Sequence, residues 1–173
     1  MRKTRRNSSW CRIFRRAPRP RRRSTVTKHF ATHRETARSV LTERVTHWNT
    51  FYNFHYNRIA IRNQRRRWGS CSSLRNLNFN YKLLFLPQPL QDYVVVHELC
   101  HLEELNHGPA FWKLVEQAIP DYSVRVQDLR YIETTFGTSI AGLTKAQAHY
   151  RSRATALETP AYDAETTLRL PTE

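Results

Sequence analysis

His97 and His101 stand four residues apart, with Glu98 directly after the first. The stretch that holds them is bounded by Pro87 and Pro89 on one side and Asn106 on the other. Proline fits the first turn of a helix, and asparagine tolerates the left-handed conformation that stops one. A helix is therefore expected from Pro89 or Leu90 to about Leu105. A four-residue step puts both imidazoles on one helix face, about 6 Å apart along the axis. As a purely structural core helix, this segment would bury Glu98 unpaired and leave His101 in need of a partner. The fold must place this helix where all three groups are satisfied.

Two imidazoles so spaced reach a single Zn²⁺ at about 2.0–2.1 Å each. A catalytic zinc takes three protein ligands and keeps one position open. His107 lies six residues past His101, and a continuous helix would rotate it away. A break at Asn106-His107-Gly108 lets the chain turn back and aim it inward. Glu103 and Glu104 are rivals, but both still lie within the expected helix, and Glu116 on the next helix is a weaker one. The expected metal set is thus His97, His101 and His107. Glu98 would flank the metal without ligating it, placed to take a proton from a zinc-bound water whose pKa falls to about 7. The same metal would polarise a scissile carbonyl, with Glu98 later returning the proton to the leaving amine.

Around this centre the periodicity predicts a mixed chain. Ala37, Val40, Leu41, Val45 and Trp48 form one apolar stripe on a helix over 31–50, with Thr32 and Glu35 spaced as a capping box. Residues 57–63 and 77–86 read as strands. The second alternates Leu77, Phe79, Tyr81, Leu83 and Phe85 with polar residues, and the two are expected to pair antiparallel across the turn-rich segment 65–73. Gly108-Pro109 should open a helix ending at Pro120, with Phe111, Trp112, Val115 and Ala118 inward. Asp121 should cap another over about 122–136. After Gly137 the pattern fades. A short helix near 144–155 is possible, and 138–173 reads as a largely irregular tail.

The net charge of +15 is unevenly spread. Residues 1–28 hold 12 Lys and Arg and no acid, while the other 17 basic residues nearly balance all 14 acids. The excess therefore belongs to a basic arm, expected to be disordered over 1–30, and says little about the domain at 31–137. Such an arm could touch nucleic acid by charge alone. The three cysteines, Cys11, Cys71 and Cys100, have no framework spacing and read as reduced thiols. No apolar run reaches the roughly 18 residues a membrane span needs, and the N-terminus lacks the apolar stretch of a secretory signal.

Several separated segments now form a recognisable order. They are Arg67-Trp68-Gly69-Ser70-Cys71-Ser72, Leu77-Asn78-Phe79-Asn80, Tyr93-Val94-Val95-Val96-His97-Glu98-Leu99-Cys100-His101-Leu102, Asn106-His107 and Phe111-Trp112. Together they closely resemble the YgjP-like zinc metallopeptidases, relatives of the SprT-like and WLM groups, over roughly residues 31–136. The resemblance implies an α+β, zincin-like domain, with a small antiparallel sheet packed with the HExxH helix and the helices after it. It implies zinc on His97, His101 and His107, Glu98 as catalytic base, a protein or peptide substrate, and a cytoplasmic setting. Family members usually carry further strands ahead of the first helix. Here that region is the basic arm, with Trp10-Cys11-Arg12-Ile13-Phe14 as a remnant strand at most. The competing reading is a nucleic-acid-associated protein whose zinc site is structural or vestigial. Tyr122, Tyr131 and the Trp68 loop are candidates for stabilising an oxyanion.

Overall fold

The computed structural model describes residues 25–158. Most of the basic arm, the Trp10–Phe14 segment and residues 159–173 lie outside these. The described chain runs α1 (Thr25–Tyr52), β1 (Arg58–Arg62), β2 (Gly69–Cys71), β3 (Asn76–Asn80), a 3-10 turn (Tyr81–Phe85), α2 (Gln88–Cys100), α3 (Pro109–Ala118), α4 (Tyr122–Thr135) and α5 (Ile140–Glu158). The fold is α+β, with α1 lying along α2 and against β1, and α2 against β2.

The sheet has three strands in the order β1-β3-β2. Its pairing differs from the expected hairpin. β1 runs parallel to β3, with Ile59 opposite Leu77 and Ile61 opposite Phe79. The antiparallel partner of β3 is β2, from within the segment read as a loop. The reason is loop length. Residues 72–75 make a tight turn, with Arg75 at φ 57° and its N–H donating to the Ser72 carbonyl at 2.8 Å. So short a connection joins antiparallel neighbours, and β1 is left to pair with the far side of β3.

β3 also ends sooner than its alternation suggests. Leu77 and Phe79 are fully buried, but the side-chain oxygen of Asn80 accepts from the Lys82 N–H at 3.2 Å. This caps a 3-10 turn that carries Tyr81 and Leu83 into the core. The two periods coincide over so short a stretch, and a local hydrogen bond decides between them.

α1 starts at Thr25, so residues 25–30 belong to the helix and not to a disordered arm. Phe30 packs edge-on against Tyr81 and His33 against Phe85, giving these early turns tertiary support. The capping box does not form, because Thr32 is already inside the helix and donates its hydroxyl back to the Lys28 carbonyl. Asp121 makes no capping bond to α4 either, and pairs with Arg125 at 2.5 Å instead. The region read as an irregular tail contains α5, which buries Leu143 and Ala146. Its apolar positions are few, so its sequence period is weak, yet two well-placed residues dock it.

α2 is the central helix. Leu90, Val95, Val96, Leu99 and Cys100 are fully buried in it, together with the polar Gln91, Asp92 and Glu98. Burying Asp92 is made tolerable by Arg44 of α1, whose Nε and Nη2 donate to the two carboxylate oxygens at 2.6 and 2.8 Å. The pair is largely shielded, with side-chain exposures of 17% and 12%. Arg44→Ala is expected to destabilise the protein by about 3 kcal/mol, because it strands the Asp92 charge. The double change Arg44→Met with Asp92→Leu should recover most of that loss in urea unfolding.

Candidate metal centre

α2 delivers His97 and Glu98 near its C-terminal end and stops earlier than expected. The helix proper ends at Cys100, with His101 as its cap residue. Leu102 and Glu103 then bond back three residues, to Leu99 and Cys100, in a tightening last turn. His101 is held in this turn: its Nδ1 lies 2.9 Å from the Glu104 carbonyl oxygen. A carbonyl only accepts, so Nδ1 carries the proton and Nε2 keeps a free lone pair. Glu104 thus serves through its backbone and not its carboxylate.

The turn back at 106–108 occurs. Gly108 N–H donates to the Asn106 carbonyl at 2.8 Å, and His107 swings onto the helix end. The three imidazoles form a near-equilateral triangle, with ring centroids 4.8, 4.9 and 4.7 Å apart for the 97–101, 97–107 and 101–107 pairs. Candidate ligand atoms on the three lie within 4.8 Å of one another. Nε2 of His97 and Nε2 of His107 face each other at 3.0 Å. Two neutral imidazole lone pairs at that distance repel unless a proton or a cation lies between them. A shared metal ion fits this donor set well. Among the described residues, neither Glu103 nor Glu116 joins the cluster.

Burial favours the neutral form of His97 and His101. It pushes His97 down to about 3, helped by the neighbouring His101 and His107, and lowers His101 as well. A neutral imidazole is the form that binds a metal. Phe111, in the first turn of α3 and fully buried, lies with its ring centroid within 5 Å of all three histidine rings. Its apolar sequence position marked it as core; its role as the floor of the triad needed the tertiary structure.

Glu98 is 5% exposed, and burial raises its carboxyl to about 8, partly offset by the Cys71 N–H and by Arg67. Cys71 N–H donates to the carboxylate, while Oε2 is buried without a hydrogen-bond partner. An unsatisfied buried carboxyl oxygen costs about 1–3 kcal/mol, so the fold retains it against a penalty. What makes room for it is Gly69: a Cβ there would meet Glu98 Oε1 at 2.5 Å and Cγ at 2.6 Å. Sequence reasoning missed this contact, since Gly69 looked like a loop residue. Arg67, Gly69, Ser70 and Cys71 form one wall of a cleft of about 290 Å³, which also reaches His97, Glu98, His101, Leu105 and His107. Tyr122 stacks on Trp112, Tyr131 packs against Phe136, and neither lines the cleft. The Trp68 indole N–H is committed to Glu133 Oε1 at 2.6 Å.

An imidazole triad gathered at the end of one helix, with a buried carboxyl beside it in an open cleft, is the equipment of a metal-dependent hydrolase. The family model for the YgjP-like metallopeptidase domain matches residues 7–131, and the chain belongs to that family. Its class is therefore metallopeptidase, which calls for a metal ion and peptide substrates. The match spans α1 through most of α4 and leaves α5 outside. Among solved structures, the chain is similar to the metallopeptidase zymogen of Pyrococcus abyssi abylysin, with 19% identity over 55% of this chain and 94% of that one, at a TM-score of 0.48. It is also similar to the zymogen of Methanocaldococcus jannaschii jannalysin, with 20% identity over 51% and 96%, at 0.43. No curated protein matches the sequence. No helix among the described residues is long and apolar enough to cross a membrane.

Two expectations follow. Gly69→Ala should push the Glu98 carboxylate aside and lower peptide hydrolysis about 100-fold, with metal content unchanged, since Gly69 meets Glu98 and not the histidines. The second concerns the metal-free protein. The Glu98 carboxyl binds a proton more tightly folded than unfolded, so its contribution is full below about 4.5 and is lost as pH rises through about 8. His97, shifted downward, acts oppositely, but only below about 6.5. Thermal stability should therefore fall between about pH 6.5 and 8, and Glu98→Gln should flatten that slope.

Proposed function

We propose that the protein is a zinc-dependent metallopeptidase in which His97, His101 and His107 hold the metal and Glu98 is the general base. The observation that carries this reading is the imidazole triangle beside a buried, half-satisfied carboxyl in one open cleft. Three nitrogen donors and an open side suit zinc in a catalytic role, whereas a structural zinc takes four protein ligands. Bound there, zinc supplies a water acidified to near-neutral pH and a positive charge that polarises a substrate carbonyl.

The chain's own residues do the rest. Glu98 accepts the proton of the attacking water and later hands it to the leaving amine. A carboxyl raised toward neutrality by burial is suited to both directions of transfer. The Cys71 N–H and the space left at Gly69 fix where that carboxyl sits. β2 orients the peptide. Trp68 accepts from Asn80 N–H and Ser72 donates to Asn76, so the alternation turns the main-chain groups of Gly69 and Cys71 away from β3. β2 is an edge strand, and the outward groups of Gly69 are free to pair with an extended substrate along the cleft. The nucleic-acid reading rests on the arm at 1–28, and no feature of the cleft favours it.

Metal analysis beside a peptide-library assay tests the proposal. Wild type should bind about one zinc per chain and cleave peptides. Glu98→Gln should keep the zinc and lose hydrolysis by about 10²–10⁴-fold. His101→Ala should lose the zinc. Zinc-loaded wild type that cleaves nothing across a broad library would sink the reading.

A further inference from the structure

Arg67 is the exposed cation of the cleft wall. Arg44, Arg75 and Arg125 are committed to acids, pairing with Asp92, Glu103 and Asp121. Arg67 makes no salt bridge among the described residues. The acid that shares the cleft with it is Glu98, which is buried and already accepts from the Cys71 N–H. Arg67 is also held in place at its base. Buried Asn80 donates its side-chain N–H groups to the Arg67 and Gln64 carbonyls at 2.9 and 2.8 Å, and its main-chain N–H to Trp68 at 2.7 Å. The residue two positions on is Gly69, where the free edge of β2 begins. The main chain that carries the Arg67 guanidinium is therefore fixed at the start of the strand along which a peptide would lie. The guanidinium's planar fork matches a carboxylate with two parallel hydrogen bonds. The cleft also presents Leu105, 58% exposed and apolar.

We propose that Arg67 reads a carboxylate on the substrate, so that the site selects peptides carrying one close to the scissile bond. This rests on the peptidase reading of the same cleft. The carboxylate has two possible sources, an Asp or Glu side chain or the peptide's own C-terminus. Both present the same group to the guanidinium.

The test uses the full chain loaded with zinc and matched peptides holding Asp, Glu, Asn or Gln beside the cleaved bond, each with a free or amidated C-terminus. Acidic side chains should be favoured over their amides by about fivefold to tenfold in kcat/KM, chiefly through KM, as expected for a solvent-accessible charge-assisted hydrogen bond. If the C-terminus is the source, amidation removes the preference instead. Arg67→Gln should abolish the discrimination, Arg67→Lys keep part of it, and Arg67→Glu reverse it in favour of lysine-bearing peptides. Arg65→Gln, which changes a neighbouring cation outside the cleft, should leave it intact. Fluorescence anisotropy of the same peptides on zinc-loaded Glu98→Gln protein gives a readout that needs no turnover. Cleavage with no carboxylate preference, or a preference that survives Arg67→Gln, overturns the assignment and leaves the peptidase reading standing. Arg67-dependent carboxylate binding without cleavage by wild type does the reverse. Neither binding nor cleavage removes both.

Discussion

The carboxyl of Glu98 is held out of water beside a cluster of three imidazoles, and the arrangement of the domain follows from that. A buried carboxyl needs a donor, a space and a rigid mount. The donor is the Cys71 N–H, the space is the missing side chain of Gly69, and the mount is α2, buried along nearly its whole length. The first two come from one short strand. β2 must therefore lie against the C-terminal half of α2, and it reaches that place through the tight turn to β3 and the pairing of β3 with β1. The sheet is small, but each strand contributes to positioning that one edge.

The histidines depend on the same mount by a different route. His97 sits in the last full turn of α2, His101 at its cap, and His107 on the return of the chain. No single element could bring all three rings within 5 Å of one another. The helix stops at Cys100 and tightens, the Glu104 carbonyl fixes the tautomer of His101, and Phe111 supports the rings from beneath. Placing an aromatic at the first turn of α3, directly after Gly108-Pro109, couples the start of that helix to the site. The ion pair of Arg44 and Asp92 ties α2 to α1 one turn and more below the histidines, away from the cleft. The candidate centre and the helix anchoring are thereby separated along a single helix.

The candidate site was legible in the sequence because its spacing is local. Four residues on a helix put two groups on one face whatever the surroundings, and a Gly-Pro step after His107 permits a return. Most helices were legible for the same reason, since the 3.6-residue period survives without knowledge of the partner. Strand pairing was not. Residues 57–63 and 77–86 alternate, but alternation says nothing about direction, and Gly69-Ser70-Cys71 is too short to show a period at all. The fate of Tyr81 to Phe85 turned on one hydrogen bond from Asn80, and that of α5 on the docking of Leu143 and Ala146.

The sequence by itself thus determined which side chains form the candidate centre, where most of the helices lie, and the concentration of positive charge in the first 28 residues. The tertiary structure alone decided what surrounds that centre. Gly69, Cys71 and Arg67 stand some thirty residues before Glu98, and they meet it only because β2 takes the edge of the sheet. Contacts between distant segments depend on sheet order and packing, which a one-dimensional pattern does not encode. A helix-spaced pair depends only on the backbone's own pitch.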